Sequence, residues 1–163
     1  MIQNAVIGSG RLETLTASVD MGASTAAKER YRNNLLLMGA AGAALTFSLP
    51  PAIGSGDVYT FMVSVVNTSN YIIEVNTTDT VDTTGDTIDG QIITASTGDT
   101  PDLGQPWVTA STSDTITLNA TTTGGVAIGD YVQLIDIAEN QWAVIGHTTT
   151  SGVEATPFSA AVS

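Results

Sequence analysis

The residues with the clearest potential for chemistry are aspartates in a segment rich in threonine and glycine, residues 76–105. Four of them form two Asp-x-x-Asp pairs, Asp79 with Asp82 and Asp86 with Asp89. Carboxylates among hydroxyl and carbonyl oxygens are ligands that Ca²⁺ prefers. Their spacing matches neither the EF-hand loop nor the nonapeptide Ca²⁺ repeat. We therefore interpret the segment as a solvated acidic loop and expect no metal or other cofactor. If a metal did bind, these four aspartates would be the candidate ligands.

The other residue types do not predict a catalytic site. His147 is the single histidine, and the chain has no cysteine. A serine nucleophile activated by this histidine has no GxSxG motif to support it. The glycines at 8–10 and 54–57 lack the spacing of a dinucleotide-binding motif. We expect His147 to face solvent and the protein not to be an enzyme, which leaves a hydrolase as the weakest alternative.

Charge is distributed unevenly along the chain. The formal net charge is −12, yet all the basic residues lie in the first 32 positions: Arg11, Lys28, Arg30 and Arg32. The remainder contains 13 acidic residues and no lysine or arginine. Such a body repels phosphate backbones, so we expect no nucleic-acid partner. The basic residues are the candidates for contact with an acidic partner surface.

The basic residues precede the apolar run LLLM at 35–38, an order similar to that of a secretory signal peptide. The run lies far from the first residue, and the alternation that continues to Phe47 and Leu49 is typical of a strand. It is also much shorter than the ~20 residues that cross a bilayer. We expect neither a signal peptide nor a membrane association.

Residues 35–66 hold the densest apolar content and read as three strands separated by two turns. The glycines and alanines at 39–42 suit a tight hairpin reversal after the first strand. The second strand, 44–49, ends at a proline pair. The third, 58–66, has one wholly apolar face that we expect in the core: Tyr59, Phe61, Val63 and Val65. A helix over 35–45 is the alternative, which the glycines disfavour.

Further strand patterns follow at roughly ten-residue spacing, namely 71–75, 91–95, 107–109, 114–120, 131–137 and 141–145. We expect 71–75 to pair back on the preceding strand and 141–145 to pair back on 131–137. Asp89 and Gly90 form a dipeptide typical of turns. The pattern predicts an all-β protein, a small β-sandwich or barrel.

The N-terminal residues 1–32 have mixed polarity and no compact apolar pattern, so we predict an extended arm ahead of a β domain at 33–163. A short strand at 12–17 and a helix at 24–32 capped by Ser24 are the elements expected within the arm, with extended structure as the alternative for 24–32. Aromatic residues of the β domain are expected to be core or oligomer anchors rather than a sugar-binding platform: Phe47, Phe61, Trp107, Tyr131 and Trp142.

Several segments resemble the capsid decoration proteins, or cement proteins, of tailed phages. They are LTAS at 15–18, LLLMGAAGAALTFSLPPAIGSGDVYTFMV at 35–63, TSNYIIEV at 68–75, DTITLN at 114–119, GDYVQLIDI at 129–137, QWAVIGH at 141–147 and SGVEATPFS at 151–159. The resemblance covers most of the chain, and its motifs are structural ones. The acidic segment is the part least similar to the family.

The resemblance implies a β-tulip-like domain that sits as a homotrimer on the outer capsid surface of the virion. Such a protein binds the major capsid protein and braces the joints of the shell, and no catalytic residue is implied. The arm would make much of the shell contact. The alternative from another functional class is a phage fibre or adhesin domain that binds a host glycan through residues 76–105 and Trp107.

Overall fold

The structure is a computed structural model that describes residues 10–76, 85–98 and 104–162. It confirms the all-β prediction, since the strands form two mixed sheets. The larger sheet has the order β1 (Leu12–Leu15), β3 (Asn34–Met38), β5 (Val58–Val63), β10 (Tyr131–Ala138), β11 (Gln141–Thr150), β7 (Thr87–Ser96) and β8 (Gly104–Val108). The smaller sheet has the order β12 (Phe158–Ser159), β9 (Thr115–Leu118), β6 (Tyr71–Glu74), β4 (Leu45–Ser48) and β2 (Val19–Asp20).

The first six strands alternate between the two sheets. β1, β3 and β5 are parallel neighbours in the larger sheet, and β2, β4 and β6 are parallel neighbours in the smaller one. Each odd strand and the even strand after it form an arch whose arms face each other across the core. The hairpin predicted at 39–42 is therefore wrong, because β3 and β4 meet through inward side chains and not through a hydrogen-bonded ladder.

Aromatic rings fill the space between the sheets. Phe47 of the smaller sheet stacks on Phe61 of the larger one at 5.6 Å between ring centroids. Within the larger sheet, Tyr59 meets the edge of Trp142 at 5.7 Å. All four side chains are fully buried, and each ring contributes about 1.5–3 kcal/mol of apolar burial to folding. Val65 departs from the prediction: β5 ends at Val63, so Val65 lies past the strand and is 36% exposed.

The later strands confirm one predicted pairing and overturn another. β10 and β11 form the antiparallel hairpin expected from the sequence. β6, expected beside β5, pairs instead with β4 and β9 in the other sheet. β11 also runs beyond the predicted end to Thr150, because β7 pairs with it in parallel along its whole length.

The turn predicted at Asp89 and Gly90 is wrong, because both residues lie inside β7. Gly90 has φ +139, and a Cβ atom on it would lie 2.2 Å from the carbonyl oxygen of Val144 in β11. Glycine is thus required here by a close approach of two strands and not by a chain reversal.

The N-terminal elements confirm the predicted helix and strand. Helix α1 (Thr25–Tyr31) begins at the N-cap Ser24, whose hydroxyl accepts a hydrogen bond from the Ala27 amide at 3.1 Å. β1 and β2 hydrogen-bond to β3 and β4, and Tyr31 is buried in the core. The arm boundary at residue 32 stays a prediction. No helix in the described part of the chain is long and apolar enough to cross a membrane.

Candidate interaction surface

The structure does not bring the described members of the acidic segment together. Asp79 and Asp82 lie outside the described residues. The Asp86 carboxylate is buried and accepts a hydrogen bond from the Ala52 amide at 2.9 Å. Asp89 accepts one from the Gln141 side-chain amide at 2.7 Å. Within residues 10–76, 85–98 and 104–162, no group of three acidic or histidine side chains could hold a metal ion.

Buried aspartates elsewhere hold loops in place. The Asp136 carboxylate accepts hydrogen bonds from the amides of Ile53, Gly54 and Ser55 at 2.6–3.0 Å, and from the Ser55 hydroxyl at 2.7 Å. The Asp130 carboxylate accepts hydrogen bonds from the amides of Gly125 and Ala127, and from both the amide and the hydroxyl of Thr149. Hydrogen bonds of backbone amides to a carboxylate are strong, so these acids fix loops that carry no other regular structure.

Three of the four candidate contact residues in the arm form ion pairs within the chain. Lys28 and Arg32 approach the two oxygens of Asp57 at 3.4 and 3.3 Å, and Arg32 also pairs with Glu29 at 2.6 Å. Burial alone would raise the pKa of Asp57, but hydrogen bonds from Ser55 and Lys28 and the two positive charges outweigh it. The pKa of Asp57 therefore lies below its ordinary value.

Arg30 makes the corresponding pair on the other side of the helix. Its guanidinium contacts both oxygens of Glu13 at 3.2 and 3.3 Å, and this hydrogen bonding lowers the pKa of Glu13. Arg11 is exposed at the start of β1, and its charge acts in the same direction on Glu13. The ion pairs thus attach the helix to β1 and to the residue before β5, and a capsid contact of these basic residues stays a prediction.

The outer face of the larger sheet, turned away from the core, is the most unusual surface of the described structure. Two rows of outward side chains cross all seven strands in register. The first row is Leu12, Leu35, Thr60, Gln133, Ile145, Gln91 and Val108; the second is Thr14, Leu37, Met62, Tyr131, His147, Ile93 and Pro106. Neither row contains an acidic residue, a lysine or an arginine, and most positions are apolar.

The outer face of the smaller sheet has the opposite character. One row of outward positions runs Asp20, Ser48, Glu74, Thr115 and Ser159. The Ser48 hydroxyl donates to the Glu74 carboxylate at 2.8 Å, and in the neighbouring row Thr46 and Thr117 lie on either side of Ile72. Polar residues on the outer face are typical of a sheet that has one face in the core and the other in water. The difference between the two outer faces gives the molecule an apolar side and a hydrophilic side.

The apolar side is contoured around His147. The imidazole is exposed, as predicted, and lies 5.7 Å from the Tyr131 ring on the neighbouring strand. Two open depressions flank it. One, of about 200 Å³, extends to Asp130 and Thr149, and the other, of about 220 Å³, extends to Ile145.

The predicted anchors divide between the core and this surface. Phe47, Phe61 and Trp142 are fully buried, and Tyr131 is half-buried on the apolar face. Trp107 pairs with the buried Ile92 and packs against the core, so its ring is not presented as a platform for a sugar.

The sequence analysis missed the uncharged face, although its signal is present in the sequence. In β3, β5 and β11 both alternating faces lack charge, and in β10 the one charge, Asp136, points inward. A strand with a solvated face is expected to carry charge on it, so this absence marked a surface that is not simply solvated.

Comparisons of the chain with protein-family models, with curated proteins and with solved structures give no significant match.

Proposed function

We propose that this chain is a structural virion protein that binds the outer capsid surface as a homotrimer and stabilises contacts between major capsid proteins. The observation that supports it best is the contrast between the two outer sheet faces. One has two uncharged, mostly apolar rows that cross all seven strands, with Asp89 in the row beyond them, and the other carries hydroxyls and the carboxylates of Asp20 and Glu74. A protein that adds to a shell needs one face for protein contacts and another for water.

The chemistry of the buried polar residues supports a structural function as well. The carboxylates of Asp130 and Asp136 accept backbone and hydroxyl hydrogen bonds, and Asp57 is paired with two cations. The hydrogen bonds of Asp130 and Asp136 hold loops in place, and the ion pairs of Asp57 attach the helix. The resemblance of the strand and turn motifs to capsid decoration proteins adds the virion and the major capsid protein as the partner.

Within this proposal, the first residues of the arm are the ones that contact the shell. Because Lys28, Arg30 and Arg32 pair with acids of the same chain, Arg11 and the residues before it are the part proposed to contact the shell. The test is the substitution Arg11→Glu, with Glu154→Arg as the control that changes a charge far along the chain. Reduced occupancy on capsids is expected for the first variant only, and unchanged occupancy for both would remove the arm from the proposal.

The experiment that tests the function is electron microscopy of purified virions with and without this protein. We expect many copies at regular positions on the shell, and particles that lose DNA more easily when the protein is missing. Copies confined to a tail or a fibre tip would favour the glycan-binding alternative. Absence from every particle would refute the proposal.

A further inference from the structure

We infer that the outer face of the larger sheet is the contact surface between copies of this chain. The inference deepens the self-association within the proposed function and rests on that function only for the number of copies. Three properties of the face support it: its charge, its size and its shape.

The absence of charge on this face favours a second copy of the chain as its partner. Copies of a chain with a net charge of −12 repel one another, and they can approach only through surfaces that lack carboxylates. The two outward rows satisfy this condition, and Asp89 of β7, which lies in the neighbouring row, is half-buried and accepts a hydrogen bond from Gln141. A basic partner would be matched by acidic residues and an anionic membrane by lysine or arginine, and these rows contain neither. A second copy presents the same neutral rows and leaves no charge unpaired.

The size of the face suits a small protein interface. Seven strands about 4.8 Å apart make it about 29 Å wide, and the two uncharged rows extend it by about 14 Å along the strands. The resulting area of about 400 Å² before side-chain relief is about half of the ~800 Å² per partner of a standard interface. Apolar side chains at both edges and the centre are exposed: Leu12 at 61%, Ile145 at 51% and Val108 at 69%.

The shape of the face favours a protein surface over a small ligand. The depressions beside His147 measure about 200 and 220 Å³, below the ~300 Å³ at which small-molecule pockets begin. Each can receive a protruding side chain of a neighbouring copy. Ile145 borders one of them and stands near the centre of its row, so it is the position from which to disrupt the contact.

The test is sedimentation equilibrium of the full chain. We expect the wild type to show a mass above the 16.7 kDa of one chain, and association that strengthens as salt screens the net charge. Ile145→Asp should weaken association about tenfold or more, because it places opposed carboxylates in the contact. The matched control Thr117→Asp adds the same charge to the outer face of the smaller sheet and should change association less than about twofold.

Thermal unfolding of both variants by circular dichroism separates lost association from lost folding, and Ile145→Ser provides a milder change with the same expected direction. A wild type that stays monomeric at about 100 μM, at the weak end of measurable association, would refute the inference. So would an effect of Thr117→Asp that equals the effect of Ile145→Asp. A monomer that associates only after removal of residues 1–9 would assign the face to the chain's own N-terminal segment and also refute it.

These outcomes are distinct from those of virion imaging. A chain that associates through this face but is absent from virions keeps the inference and refutes the proposed function. A chain that is monomeric but found on capsids supports the proposed function and refutes the inference, and it would assign the face to the contact with the shell. A dimer in place of a trimer supports the inference and contradicts the homotrimer.

Discussion

The carboxylate of Asp136 holds Ser55, 81 positions earlier in the chain, through both the backbone amide and the hydroxyl. The same carboxylate accepts hydrogen bonds from the amides of Ile53 and Gly54, so one side chain of β10 holds three consecutive residues of the loop that leads into β5. The loop has no regular structure of its own, and its position depends on this acid.

Replacement of this acid tests that dependence. Asp136→Asn keeps the shape but removes the charge and turns an NH₂ group toward amide donors. We expect the free energy of unfolding to fall by about 2–4 kcal/mol in urea denaturation. Asp89→Asn, which alters one hydrogen bond on a half-buried side chain, is the control and should cost about 0.5 kcal/mol or less. Equal effects of the two substitutions would contradict the structural role of Asp136.

Gly90 provides a test of the parallel contact between β7 and β11. Gly90→Ala should lower the free energy of unfolding by about 3 kcal/mol or more, because the new Cβ would meet the Val144 carbonyl oxygen. Gly56→Ala is the matched control, since Gly56 also has positive φ, +76, but has open space around the position of a Cβ. It should cost about 1–2 kcal/mol. Equal losses of unfolding free energy for Gly90→Ala and Gly56→Ala would mean that β7 and β11 do not approach as closely as described.

Tyr71 connects two of the arches through its hydroxyl. The oxygen accepts from the Ala40 amide at 3.0 Å and lies 2.6 and 2.8 Å from the carbonyl oxygens of Ala40 and Val65. Tyr71→Phe should cost about 1–2 kcal/mol in chemical denaturation, since buried backbone groups lose their partner. Tyr31→Phe makes the same change in another buried ring, for which no hydroxyl hydrogen bond occurs among the described residues, and should cost less than half as much.

Acid should weaken the attachment of α1 through Asp57. Its pKa in the folded state lies below the ordinary value of 3.8, so its contribution to stability is complete above that value and is lost as pH falls through the lower, folded pKa. Asp57→Asn removes the ion pairs with Lys28 and Arg32 and should cost about 1–3 kcal/mol at neutral pH. The difference between wild type and variant, measured by urea denaturation, should shrink below about pH 4. A difference that stays constant down to about pH 2 would contradict this account.

The larger part of the secondary structure could be predicted from sequence because its local causes are strong. Alternation placed β4, β5, β9, β10 and β11, and Ser24 marked the start of α1. The β10–β11 hairpin was predicted as well, but pairing between strands remote in sequence could not be predicted in the same way. A hairpin and an arch both join two alternating strands by a short run of small residues, so residues 39–44 read the same for either.

The candidate surface, like the fold, was predictable in its local features and not in its assembly. The sequence by itself determined that the chain is all-β, acidic outside its first 32 residues and without cysteine, because composition and two-residue periodicity are properties of the chain alone. Only the tertiary structure decided that seven strands distant in sequence align their uncharged residues on one face, and that Asp136 points inward while Ile145 points outward. Apart from the β10–β11 hairpin, strand order and register are set by contacts between remote segments, and no local pattern encodes which remote strands become neighbours.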